Sequence, residues 1–320
     1  MNIIHTTVNA VVLSFLLMFF TDGITSCRAP EVQAQIKENN YINGTGYDLS
    51  APDEIIDMPD ILHEISGITL IDQVSVACIQ DEYGTVYIFD LVKKQIRREI
   101  LFFNNGDYEG ITRVGKKFFI LRSDGILFEI SDDGSSRIEP KIYQTGIPGK
   151  DIEGLCYDNK EGRLLINHKS DMGKSSGYKN RSLVYGFDLR SGTVSEKPAY
   201  NFDLFAITQF ALDNDVISPK KDKNNSGKKK NKPKEAEPDI KLRPSAICIH
   251  PVTDKLFVVS AIENKLFIFN RNGTIENIEK LDKDIFNMPE GITFFQNGDM
   301  LISNEGQNKR ATILKFNYNK

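Results

Sequence analysis

Apolar runs of four to eight residues punctuate the chain from about residue 74 onward, rich in Val, Ile, Leu and Phe and separated by Gly, Asn and Asp. They come in pairs: VSVACI (74–79) with VYIFDL (86–91), FFIL (118–121) with ILFEI (126–130), RLLINH (163–168) with SLVYGFDL (182–189), LFVVS (256–260) with LFIFN (266–270), and MLIS (300–303) with ILKF (313–316). Runs of this length between turn residues predict strands in antiparallel meanders. Each pair follows the same short motif: Ser or Glu, a small residue, Ile or Leu, then Thr or Cys. The five copies are EISGIT (64–69), DYEGIT (107–112), DIEGLC (151–156), RPSAIC (243–248) and MPEGIT (288–293). Aligned on Gly67, Gly110, Gly154, Ala246 and Gly291, their spacings are 43, 44, 92 and 45 residues. A strand-rich unit with a period in the forties predicts the blade of a β-propeller, each blade a meander of about four strands.

The interval of 92 residues is long enough to raise the question of a sixth blade. It holds a long loop between 168 and 182 and a low-complexity tract over 218–239. What remains, NFDLFAITQFAL (201–212), offers one or two apolar runs, too few for a blade. The expected fold is therefore all-β, a five-bladed β-propeller of four-stranded antiparallel blades over residues 45–320. The last unit has three strands and lacks a fourth, while TGYDLSAPDEIIDMP (45–59) is strand-like and has no blade of its own. This N-terminal strand is expected to close the last blade and leave no long edge bare.

Charge changes the picture little. The chain of 320 residues carries a net charge of −4. The tract 218–239 holds eight lysines and four acids, so the rest of the chain is near −8. A basic tract without aromatics, rich in Lys, Asn, Pro and Gly, reads as a disordered, solvated insert. An acidic body argues against a nucleic-acid partner.

The N-terminus reads as an address. VNAVVLSFLLMFFT (8–21) is uncharged and too short to span a bilayer, which suits a signal peptide. Ile24-Thr25-Ser26-Cys27 follows and resembles a bacterial lipoprotein signal, although residues 1–7 hold no Lys or Arg. The expectation is a signal peptide over 1–27, lipidation at Cys27, a polar tether over 28–44 and a monomeric module on the bacterial cell envelope. Without lipidation the protein would be secreted. Cys78, Cys156 and Cys248 fall in apolar strand runs and read as buried free thiols.

Familiar enzyme motifs are missing, and the four histidines show no metal-ligand spacing. The candidate chemistry lies in the residue before each small position: Ser66, Glu109, Glu153, Ser245 and Glu290. Each begins an innermost strand, so all five are expected at one mouth of the central channel. The turns between second and third strands open on the same face and add Asp81, Glu82, Arg122, Asp124, His168, Lys169 and Glu305. Carboxylates converging there must be neutralised, be paired by Arg122 and Lys169, or hold a cation. Hard oxygen ligands with few histidines suit Ca2+.

In these motifs the chain resembles the SdiA-regulated proteins, a family of bacterial five-bladed β-propellers. The matching stretches are EISGI with DEYG, GDYEGI with SDG, DIEGL with HKS, LRPSAICIHP, and MPEGITF with GDMLISNEG. The resemblance covers about residues 45–320; the Lys-rich insert departs from it. It implies a bound calcium ion, for which Glu109, Glu153, Glu290 and Glu305 are the expected ligands, and it implies no particular reaction. Two function classes stay open. One is a calcium-binding envelope module that presents a face to a small ligand or an envelope protein. The other is a calcium-dependent hydrolase of phosphoesterase, phytase-like or lactonase-like type, with Glu153 or His168 as base.

Overall fold

The computed structural model describes residues 45–148, 151–169, 178–219 and 237–319. The leader, Cys27, the tether and most of the Lys-rich insert lie outside the described residues. Five antiparallel sheets are arranged as blades of a β-propeller. Blade 1 comprises Ile65–Asp72, Ser75–Gln80, Thr85–Asp90 and Gln95–Leu101. Blade 2 comprises Tyr108–Val114, Lys117–Arg122, Ile126–Ser131 and Lys141–Gln144. Blade 3 comprises Ile152–Asp158, Arg163–His168 and Arg181–Asp188, with its outer strand in two pieces, Thr193–Val194 and Tyr200–Asp203. Blade 4 comprises Ala246–Ile249, Leu256–Ser260, Lys265–Phe269 and Ile275–Lys280. Blade 5 is built from Pro289–Phe294, Met300–Asn304 and Thr312–Phe316, and its outer strand is the N-terminal segment Glu54–Asp57.

The central strands read as unbroken apolar runs because both faces are covered. All six residues of Ser75–Gln80 are buried, as are all six of Thr85–Asp90. Alternate side chains of one strand enter different cores: Val76 and Cys78 pack toward blade 5, Ala77 and Ile79 toward blade 2. Five such hydrophobic clusters fill the five spaces between neighbouring blades. Cys78, Cys156 and Cys248 are free thiols within this packing.

The ring is clasped by the segment that precedes blade 1. Glu54–Asp57 pairs antiparallel with Thr312–Lys315. Tyr47 and Leu49 fill the space between blades 4 and 5, while Ile56 and Met58 fill the one between blades 5 and 1.

The stretch 201–212 builds no blade. It supplies the second piece of the outer strand of blade 3 and then a helix, α1, over Leu204–Asp213. The Asp203 side chain caps α1 by accepting from the Phe205 and Ala206 amides at 2.9 and 3.3 Å. Leu204, Ile207, Thr208 and Ala211 share one face at helical spacing and pack on the core between blades 3 and 4. No helix among the described residues is long and apolar enough to cross a membrane.

Candidate functional site

Four of the five repeated motifs place their polar residue through the same local device, and the blade 4 motif with Ser245 does not. The pairing of first and second strands shifts register between Ile65 and Gly67, Tyr108 and Gly110, Ile152 and Leu155, and Pro289 and Gly291. Ser66, Glu109, Glu153 and Glu290 therefore sit at β-bulges, which re-aim a side chain at a strand start. The small residue that follows meets the neighbouring blade. A Cβ on Gly110 would stand 2.8 Å from the Glu153 carbonyl oxygen, and one on Gly291 would stand 3.0 Å from the Ile68 amide nitrogen. The repeat thus joins two requirements, a close approach of backbones and a polar side chain turned toward the axis.

Ser66, Glu109, Ser245 and Glu290 line the axial channel together with Ile68, Ile111, Leu155, Ile247 and Ile292. The apolar side chains nearly close it, leaving about 10 Å³. Ser245 is committed to structure: its hydroxyl donates to the Pro289 carbonyl at 2.7 Å and accepts from the Ala261 amide at 3.3 Å.

The open space lies beside the axis, over blades 3 and 4. A cleft of about 490 Å³ is bounded by Glu109, Asp151, Glu153, His168, Lys169, Asn180, Arg181 and Ser182 on one side, and by Leu204, Lys241, Leu242, Arg243 and Ile262 on the other. Glu153 is 3% exposed and Ser182 is 5% exposed. Lys169 forms an ion pair with Glu153 Oε1. Glu153 Oε2 and Ser182 Oγ have no hydrogen-bond partner.

Electrostatics tie the glutamates together. Burial and the Glu153 and Asp107 charges push the Glu109 carboxyl up to about 8, against the opposing pull of Lys169. Glu153 rises to about 8 through burial and Glu290, and Glu290 rises to about 8 through burial, Glu109 and Glu305. The Lys169 ammonium is held above its usual range by Glu153, Glu290 and Glu109, which outweigh its desolvation. Three carboxyls thus share one ammonium, and protons make up part of the difference at neutral pH.

The remaining expected residues fall elsewhere. Asp81, raised to about 6 by burial and by Glu64, Glu82, Glu305 and Asp107, belongs to a second acidic group. Glu305 is raised chiefly by burial and Glu64, and sits with that group while still feeling Lys169. Glu82 lines a small recess of about 140 Å³ with Asp60, His63 and Glu64. Arg122 does not serve as counter-ion to the glutamates: it grips Asp124 through two hydrogen bonds of 3.0 and 2.9 Å and lies over the Phe128 ring. Sequence reading missed Asp151, Asn180, Arg181, Ser182, Lys241 and Arg243. Arg243 opens the RPSAIC motif, Asp151 opens DIEGLC and Lys241 stands two residues before the former; closeness to a repeat position is the signal that pointed to them.

The donor set does not suit the expected calcium ion. Among the described residues no three His, Cys, Asp or Glu side chains group closely enough to hold a metal ion. Calcium takes six to eight oxygens, whereas Lys169 already provides a positive charge at Glu153.

No protein-family model matches the chain. No curated protein matches it either. Solved structures do: Myxococcus xanthus glutaminyl cyclase is similar at 11% identity over 83% of this chain and 95% of that one, with a TM-score of 0.52. A streptogramin B lyase is similar at 14% identity over 83% of this chain and 73% of that one, TM-score 0.41. A luciferin-regenerating enzyme is similar at 10% identity over 83% and 95%, TM-score 0.45. At these identities the likeness is one of fold alone, and the fold is a five-bladed β-propeller.

Proposed function

We propose that this protein is a small-molecule-binding propeller whose ligand enters the cleft over blades 3 and 4. The observation that carries this reading is a polar cleft of about 490 Å³ with two buried, unpartnered oxygens on its wall, Glu153 Oε2 and Ser182 Oγ. Its volume falls in the range of ligand pockets, and a buried polar atom without a partner costs about 1–3 kcal/mol unless something satisfies it. A ligand that supplies the missing hydrogen bonds recovers that cost on binding.

The test is a thermal-shift screen of the full chain against small polar compounds: amines, carboxylates, zwitterions, sugars and phosphates. At least one class should raise the melting temperature of the wild type. The rise should vanish in Ile262→Trp, which fills the cleft from its exposed rim and leaves the core alone. If no class shifts the wild type, or if the shift survives Ile262→Trp, the cleft is not the binding site.

A second reading, acid–base catalysis in the same cleft, is favoured by the Glu109 and Glu153 carboxyls, both held up to about 8. Carboxyls tuned toward neutrality beside a cleft are a recurrent feature of catalytic sites. Here Glu153 would move the proton, with Lys169 holding its other oxygen. Turnover would have to disappear in Glu153→Gln while binding persisted.

We also propose that the module is tethered to the cell envelope through lipid on Cys27. The support is the uncharged run 8–21 and the small-residue stretch ending at Cys27. Cys27→Ser should move the protein from the membrane pellet to the soluble fraction, or leave the leader uncleaved. Membrane retention of a processed but unlipidated chain would refute the anchor.

A further inference from the structure

The cleft is polarised from floor to rim. On its floor Glu109 and Glu153 are within electrostatic reach of each other, Glu290 lies in the axial channel that Glu109 also lines, and Lys169 is the ammonium that reaches all three. The Lys169 ion pair engages Glu153 Oε1 and leaves the buried Oε2 without a partner. The floor therefore sets three carboxyls against one ammonium, and Glu153 Oε2 is an acceptor that Lys169 does not satisfy. Ser182 Oγ, also buried and unpartnered, lines the same cleft.

The rim has the opposite character. Arg181 is neutralised by Asp203 at 3.0 Å, and Lys241 faces Glu237 at 3.4 Å. Arg243 also lines the cleft, is exposed, and makes no ion pair among the described residues. Leu204, Leu242 and Ile262 give the same cleft an aliphatic lining, Ile262 from its exposed rim. Acceptors on the floor, methyl groups in the lining and an unpaired guanidinium at the rim match a ligand with the complementary groups.

Building on the ligand-binding reading of the cleft, we propose that the ligand is a zwitterionic amine: its ammonium group sits on the floor against Glu153 and Glu109, and its carboxylate reaches Arg243 at the rim. An ammonium supplies up to three donors to the unpartnered oxygens and a positive charge beside which the floor carboxyls can ionise. A guanidinium takes a carboxylate in a two-point contact. A phosphate or other anion placed on the floor would oppose ionisation of the three carboxyls, which an ammonium favours. A neutral polyol would leave the imbalance of charge in place.

The experiment is calorimetric titration of the full chain with ω-amino acids from β-alanine to 6-aminohexanoate, alongside n-hexylamine and hexanoate. One member of the amino-acid series should bind at least tenfold more tightly than n-hexylamine, and hexanoate should bind more weakly than both. Arg243→Ala should erase the advantage of the amino acid over the amine. Glu153→Gln should weaken both amine probes at least tenfold, and Glu109→Gln, whose target is less buried, should do so in part. Binding should also release protons as floor carboxyls ionise, so the heat should depend on the buffer's ionisation enthalpy. Hexanoate binding as tightly as the amino acids, or Arg243→Ala leaving their ranking unchanged, would overturn the proposal. If a different class binds and Ile262→Trp blocks it, the cleft stands and the zwitterion falls. If no compound binds, both fall.

Discussion

A chain lacking residues 45–58 should lose the cooperative unfolding transition of the full-length protein at room temperature. This segment is the outer strand of blade 5 and also the plug of two inter-blade cores. Tyr47, Leu49, Ile56 and Met58 are each no more than 4% exposed. Burying an apolar side chain of this size contributes about 1.5–3 kcal/mol, so the four together approach the entire stability of an ordinary domain, about 5–15 kcal/mol. The Tyr47 hydroxyl adds a donor to the Gly298 carbonyl and lies 2.7 Å from His250 Nε2. Loss of Glu54–Asp57 would also bare the edge of Thr312–Phe316, which invites association between chains. A graded version is Ile56→Ala, with an expected cost of about 2–5 kcal/mol. Urea denaturation followed by circular dichroism reads both; an unchanged midpoint in the deletion would show that the ring closes without its clasp.

The second large effect concerns Lys169. Replacing it by Met leaves Glu109, Glu153 and Glu290 without the ammonium that reaches all three. Stranding a buried charge costs about 3–5 kcal/mol, and the partial exposure of Lys169 places this site at the lower end, about 3 kcal/mol. The cost should appear at alkaline pH and fade in acid, where the carboxyls escape it by taking up protons. The sign follows from linkage. Each of the three glutamates is raised from 4.5 to about 8 in the folded chain. Between those limits the folded state holds protons that the unfolded state has released, so their contribution to stability is full below 4.5 and is lost as pH rises through 8. Wild type should thus weaken from about pH 5 to about pH 9, and Lys169→Met should weaken more steeply. Glu290→Gln should restore much of the loss, because it removes one of the competing charges. An equal loss at both pH values would mean that Lys169 acts through packing and not through charge. Since the positive charge comes from the chain itself, EDTA should leave the melting temperature where it is.

The fold was legible because a propeller repeats its constraints. Every inner strand must start with a small residue where blades converge, and Gly67, Gly110, Gly154, Ala246 and Gly291 announce that position five times. The clasp was legible as a blade short of one strand beside a strand short of a blade. Glu109, Glu153 and Glu290 could be brought together from sequence since they hold the same register in their blades. Lys169 followed from its place in the turn after the second strand.

Residues governed by tertiary detail were not legible. Arg122 pairs with its own neighbour Asp124, two residues away, so it never reaches the glutamates. Asp81 and Glu82 share the turn position of Lys169, but the charges around Asp81 are those of other acids, Glu64 first among them, a residue just outside the repeat position. Arg181 and Ser182 begin a strand of blade 3 and Arg243 opens a repeat motif, but the repeat does not mark these positions as polar, and Lys241 lies on the long connection that leads into blade 4. Arg181, Lys241 and Arg243 are the cationic side chains of the cleft besides Lys169.

The most direct test of this account is a carbon-detected NMR titration of the full chain labelled at the glutamate δ-carbon, with Glu109→Gln, Glu153→Gln and Glu290→Gln used to assign the three signals. The account predicts that carboxyls of this trio keep protons to about pH 8 and ionise when a bound amine supplies the missing charge. Three carboxyls that all titrate near 4.5, with no response to any amine, would contradict it.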